Sequence, residues 1–271
     1  MADMRLAGRT AVITGAGSGI GRGIALALAK RGCHLALADI DERGLAETVA
    51  MLPNSLRISS HRLDVADRTA VAAFPDVVRA IHPQVDLLVN NAGVALGGTF
   101  EQVAEEDFDW LFSINFHGVV RMTRAFLPVL QASDDARLVN ISSIFGIVAP
   151  AEQVAYAASK FAVRGFTEAL RHELVGSRVG VTVVHPGGVR TSISDRARAP
   201  RNVDDAEVAR RREQFRKLLR MAPSEAGETI VRGVERRQTR VLVGGDAKGL
   251  SLLARLAPVR YWTFMRMGLP K

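Results

Sequence analysis

Cysteine occurs once in 271 residues, at Cys33. A single thiol excludes an internal disulfide and any zinc site built on paired thiolates. The six histidines are scattered and form no HxH or HExxH pair, so no metal site is expected. No apolar run approaches the roughly 18 residues that a membrane-crossing helix needs. The opening Met1-Ala2-Asp3-Met4-Arg5-Leu6 has no apolar stretch behind its charge. It reads as no secretory signal, and with the lone thiol it leads to the expectation of a cytoplasmic protein. No linker rich in Pro, Gly or Ser divides the chain, and no internal repeat is found. One domain over 1–248 is expected, with an appended tail over 249–271.

What the chain does have is a globular balance, 48% apolar and 24% charged. Its charge of +8 is unevenly spread: residues 190–271 hold nineteen Lys/Arg against nine Asp/Glu. That excess fits an anionic substrate, a membrane surface, nucleic acid or a solvated arginine-rich helix face. A nucleic-acid partner is not expected, because no aromatic-interleaved basic strand face and no recognised module is present.

Short apolar runs alternate with helical patterns, the signature of βαβ units and a parallel sheet. Strands are expected at 10–14, 34–39, within 55–63, and at 86–90, 137–142, 179–185 and 241–244. Helices are expected at 19–31 with Gly32 as stop, and at 42–51, 68–81, 105–130 and 153–175, with helical character at 204–219. The fold class is therefore α/β: a single Rossmann-type, doubly wound parallel sheet of about seven strands with helices on both faces. Ligands of such sheets bind beyond the carboxyl ends of the strands.

Thr14-Gly15-Ala16-Gly17-Ser18-Gly19-Ile20-Gly21 links the first strand to the first helix. Residues without Cβ let the backbone turn tightly and approach a pyrophosphate. The following helix adds free N–H groups and the positive end of its dipole. Gly15, Ser18, Gly19, Ile20 and Gly21 are the candidate phosphate contacts. Asp39 ends the second strand, where a carboxylate can bond both ribose hydroxyls. It would repel a 2′-phosphate, and Ser18 and Ile40 offer no basic group to offset that, so NAD is expected over NADP. A helix N-cap is the other reading of Asp39, and Asp41 could fill that role instead.

Tyr156 and Lys160 stand at i and i+4 of one helix and share a face. A nearby ammonium favours the phenolate and turns a poor base into a usable general acid/base. Ser143 follows the fifth strand, where a hydroxyl can donate to developing alkoxide charge; Ser142 is its neighbouring alternative. His185, just before Pro186, reads as packing rather than as a substrate contact.

Together the 14–21 loop, Asp64-Val65, Asn90-Asn91-Ala92-Gly93, Asn115, Ser143, Tyr156-Ala157-Ala158-Ser159-Lys160 and Pro186-Gly187 with Thr191 resemble the short-chain dehydrogenase/reductase family. All stand in order and at family-like spacing, from about residue 8 to 191. The resemblance implies an NAD(P)-dependent oxidoreductase acting on CH–OH groups. It implies Tyr156 as the proton-transfer group and Ser143 holding the substrate oxygen. Lys160 would bond the nicotinamide ribose, and Asn115 would hold a water against the lysine. Asp64 and Val65 would meet the adenine, and Asn91, Ala92 and Gly93 the nicotinamide side. Val189 and Thr191, after Pro186 and Gly187, would bond the carboxamide. A homodimer or homotetramer is implied through the long helices.

Residues 192–223 are the family's substrate-binding region and here hold nine arginines and lysines. The tail at 250–269 mixes leucines, methionines and Tyr261-Trp262 with Arg255, Arg260 and Arg266, and Pro258 would interrupt a continuous helix. It suits a membrane interface, a second subunit or a cover over the substrate cleft. Its apolar character points to a bulky apolar small-molecule substrate, such as a steroid, a retinoid-like lipid or a fatty alcohol. The competing readings are an NADPH-dependent carbonyl reductase and a non-catalytic nucleotide-sensing scaffold on the same fold.

Overall fold

The computed structural model describes residues 3–201 and 203–267. Seven parallel strands form one sheet: β1 (Thr10–Thr14), β2 (His34–Asp39), β3 (Ile58–Arg62), β4 (Leu87–Asn90), β5 (Ala136–Ile141), β6 (Val179–Pro186) and β7 (Arg240–Val243). Their spatial order is β3-β2-β1-β4-β5-β6-β7, a doubly wound Rossmann-type arrangement. The order reverses between β1 and β4, which opens a crevice above their carboxyl ends.

The strands are apolar throughout because both faces of the sheet are covered. Side chains alternate between two cores. Ala11, Ile13, Leu35, Leu37, Leu87 and Val89 pack on one face, against α1 (Gly19–Ala29) and α8 (Pro223–Glu235). Val12, Ala36, Ala38, Leu88 and Leu138 pack on the other, against α3 (Arg68–Arg79) and α5 (His117–Gln131). α2 (Glu42–Ala50) adds Leu45 to the first core, and α6 (Val154–Glu173) adds Leu170 to the second.

Several elements differ from the sequence expectation. The stretch 105–130 is not one helix. α4 (Glu105–Asn115) ends and α5 begins on either side of Phe116, whose φ of −115° and ψ of −58° break the regular ladder. The cause is Asn115, whose amide bonds the backbone of Val94 in both directions and pins the end of α4. α8 had no counterpart in the expectation, although Pro223 at its start and the apolar spacing of Ile230, Val231 and Val234 mark it. It crosses α1 at backbone contact: a Cβ on Gly227 would lie 2.3 Å from the carbonyl oxygen of Gly23. The seventh strand is shifted by one residue, because Gly244 leaves it with φ of 106°.

The chain closes with α7 (Asp205–Leu218), α9 (Gly245–Leu256) and α10 (Tyr261–Met267), the last two separated by the turn at Pro258. No helix among the described residues is long and apolar enough to cross a membrane.

Candidate active site

The glycine turn sits at the carboxyl end of β1, in the crevice. It is laced to the end of β4. The Asn91 side chain donates to the carbonyls of Thr14 (2.9 Å) and Gly15 (3.1 Å), and Thr14 Oγ1 accepts from the backbone N–H groups of Asn91 and Ala92. This packing leaves no room at Gly21. A Cβ there would fall 2.0 Å from the Gly15 oxygen and 2.6 Å from Asn91 Nδ2. The opening turn of α1 holds no acidic residue, and Ser18 makes no side-chain cap bond. Its first N–H groups are thus not claimed by a cap, and an anion fits there.

Asp39 bounds the other side of the turn. Its carboxylate accepts from the N–H of Gly17 at 2.8 Å and of Asp41 at 3.0 Å. Asp41, not Asp39, caps α2, by accepting from Gly44 N. The fold also brings Arg196 to Asp41 at 3.1 Å, a cation near this site that local reading of Ser18 and Ile40 missed. Arg196 is thus paired with Asp41 and not with Asp39. Arg22 and Thr48 brace the turn from behind, through Gly17 O, Glu47 and the Ala16 carbonyl. Nothing local in the sequence marked either residue.

Asp64 and Val65 follow β3, where the Asp64 carboxylate accepts from Ala66 N and Val65 is buried against Gly118. Pro186 ends β6, and Gly187 follows it. Asp246, another residue the sequence did not flag, accepts from Gly188 N at 2.6 Å and anchors this segment to α9. Val189 is buried and bridges to Met221, and Thr191 reaches back to the glycine turn beside Gly19.

The fold brings Asn115 and Lys160 to Gly93, with Tyr156 beside Lys160 and Ser143 beside Tyr156. A Cβ on Gly93 would meet Asn115 Oδ1 at 3.2 Å and Lys160 Nζ at 3.4 Å. Asn115 donates to Ser159, which in turn donates to the Tyr156 carbonyl, so α4 and α6 are tied at this point. Lys160 Nζ donates to the Ile141 carbonyl at 3.2 Å and lies 5.7 Å from the centre of the Tyr156 ring. The ring of Tyr156 stands edge-on to Phe145.

Ser142 and Ser143 diverge. Ser142 Oγ donates to the Lys160 backbone carbonyl and belongs to packing. Ser143 neighbours the Tyr156 hydroxyl and starts a short 3-10 turn, its Oγ accepting from Phe145 N. Beneath it lies His185, fully buried, with Nδ1 2.9 Å from the Ser143 carbonyl. A carbonyl cannot donate, so Nδ1 carries the proton. Burial holds the imidazole down to about 4, which keeps it neutral at ordinary pH.

Burial also sets the electrostatics of the centre. It lowers Lys160 from 10.5 to about 8 and raises the Tyr156 phenol, while the Ser143 hydrogen bond pulls the phenol back down. An ammonium beside a phenol, with a hydroxyl in contact, is equipped to move one proton.

A family model described as "short chain dehydrogenase" matches residues 9–202. The chain is 45% identical to SadH of Mycobacterium tuberculosis, named as an oxidoreductase, over 97% of its own length and 96% of that protein. The oxidoreductase UcpA of Salmonella typhimurium is 38% identical over 83% of this chain and 86% of its own. Among solved structures, a short chain dehydrogenase/reductase of Burkholderia phymatum in complex with NAD superposes with a TM-score of 0.86. It is 31% identical and covers 93% of this chain and 95% of the other. The chain belongs to the short-chain dehydrogenase family. As a member, it is an oxidoreductase that uses a nicotinamide cofactor and acts on CH–OH groups.

The arginines after β6 are mostly spoken for. Arg198 pairs with Asp107 and stacks on Trp110, Arg201 pairs with Glu106, Arg211 with Glu152, and Arg216 with Asp195. These contacts clamp the segment and α7 onto the body, so they leave little free positive charge for an anionic substrate.

Proposed function

We propose that this dehydrogenase interconverts an alcohol and a carbonyl on a bulky apolar substrate, prefers NAD(H), and uses Tyr156 as its general acid/base. The succession Ser143–Tyr156–Lys160, with Lys160 and Asn115 meeting at Gly93, supports this reading. In the reducing direction the Tyr156 hydroxyl gives its proton to the substrate oxygen; in the oxidising direction it takes one from the alcohol. Ser143 holds that oxygen and steadies its developing charge. Lys160 favours the phenolate and bonds the nicotinamide ribose, and Asn115 links the lysine to solvent through a held water. When bound, the nicotinamide supplies or accepts the hydride.

The same proposal assigns the binding residues. Gly15, Ser18, Gly19, Ile20 and Gly21 receive the pyrophosphate, Asp39 the ribose, and Asp64 and Val65 the adenine. Asn91, Ala92 and Gly93 line the nicotinamide, with Pro186, Gly187, Val189 and Thr191 at its carboxamide. The NAD preference rests on the Asp39 carboxylate, which accepts from two backbone N–H groups and would repel a 2′-phosphate. An apolar substrate is supported by the cluster around Tyr156, which includes Val94, Leu96, Trp110 and Phe112, and by the paired state of the nearby arginines. The proposal divides the chain into an oxidoreductase body, 1–248, and a tail, 249–271, with a peripheral membrane contact for that tail. It also includes a homodimer or homotetramer joined through the long helices, where α6 exposes Phe161.

Tyr156→Phe tests the core of the reading. NAD binding should persist, measured by titration, while turnover with any accepted alcohol disappears. Retained turnover would remove Tyr156 from the chemistry.

A further inference from the structure

The tail helices have two unlike sides. On the inner side Ala247, Leu250, Ala254, Tyr261 and Met265 pack against Ile144, Phe145, Ile147 and Val148. The Tyr261 hydroxyl accepts from Ala149 N at 3.0 Å. This is the loop that begins at Ser143. The outer side is apolar yet uncovered: Leu252 is 57% exposed, Leu256 75%, Val259 89% and Phe264 51%. Lys248, Arg255, Arg260 and Arg266 are exposed with them, and no Asp or Glu occurs from 247 to 267.

We infer that this outer face lies on an anionic lipid bilayer, with Leu252, Leu256, Val259 and Phe264 in the headgroup boundary and the four cations on lipid phosphates and acidic headgroups. Exposed apolar side chains interspersed with cations match an interfacial helix, whose binding combines apolar burial with electrostatic attraction. A second copy of the chain fits less well. Two such faces paired about a two-fold axis would bring arginines against arginines with no carboxylate between them. On a bilayer, the inner packing sets the Ser143 loop one helix layer from the lipid. The purpose of the contact, access to apolar substrate, rests on the substrate reading above; the contact itself does not.

The test is flotation of the full chain with vesicles, without substrate or cofactor. Vesicles of equal parts phosphatidylglycerol and phosphatidylcholine should carry the protein, and pure phosphatidylcholine should carry about tenfold less or none. Leu256→Glu with Phe264→Glu, both at exposed positions, should abolish flotation and leave the melting temperature and the mass in solution unchanged. Equal binding to both vesicles, or none to either, overturns the inference. So does a fall in mass by light scattering in the double variant, which would give the face to a second copy. Failure of the apolar-substrate reading shows separately, as turnover of short soluble alcohols in preference to sterols or fatty alcohols.

Discussion

Lys160→Met should make the cofactor-free protein more stable while it silences the enzyme. Lys160 is 4% exposed, and burial holds its ammonium at about 8, against 10.5 for the free side chain. At pH 7 the folded chain therefore carries a charge it would rather not bury, at a cost of about 3 kcal/mol at about 1.4 kcal/mol per unit. The substitution removes that cost and also the hydrogen bond to Ile141, worth about 1 kcal/mol. The net gain is about 2 kcal/mol, or about 4 to 8 °C in Tm for a chain of this size. The sign of the pH dependence is fixed by linkage. Between about 8 and 10.5 the unfolded chain holds more protons on this lysine than the folded one. Stability of the wild type thus rises with pH through that window, and Lys160→Met lacks the rise. Denaturant unfolding of both cofactor-free chains at pH 7 and pH 10 measures the gap, since groups common to both cancel. The gap should be widest at pH 7 and nearly closed at pH 10. A variant less stable at pH 7, or a gap that does not change with pH, would refute the reasoning.

Gly21→Ala should weaken NADH binding more than tenfold, because its Cβ would fall 2.0 Å from the Gly15 oxygen and force the turn open; unchanged titration of NADH fluorescence would show that the turn does not hold the cofactor. His185→Leu takes one of two donors from the buried Ser143 carbonyl, which keeps the Gly146 N–H, at about 1 kcal/mol. It should lower kcat with little change in NADH affinity, and His185→Asn, which can donate from a similar place, should restore much of it; a wild-type kcat in His185→Leu would make the bond idle. Asp39→Ala should shift the ratio of NADP to NAD affinity upward by about tenfold, and a ratio that stays constant would place cofactor choice elsewhere.

The order of strands and helices was legible because a parallel sheet covered on both faces writes itself as short apolar runs, such as 86–90, punctuated by glycine turns. Tyr156 and Lys160 were legible as a pair because four residues make one helical turn. The family resemblance was legible because its motifs keep fixed order along the chain. Other features depend on contacts between residues far apart in the chain, which no local window contains. The break at Phe116 exists because Val94 claims the Asn115 side chain. A second donor for the Ser143 carbonyl, beside the Gly146 N–H, comes from His185, and the anchor of Gly188 from Asp246. The surplus of arginine left an anionic substrate, a membrane surface, nucleic acid and a solvated helix face open, and only folding delivered Asp107, Glu106 and Glu152 to it. Periodicity and turn chemistry act over a few residues and so determined the elements. Charge pairing, burial and the ionisation of Lys160 and His185 arise only when distant segments share one desolvated space, and those the tertiary structure decided.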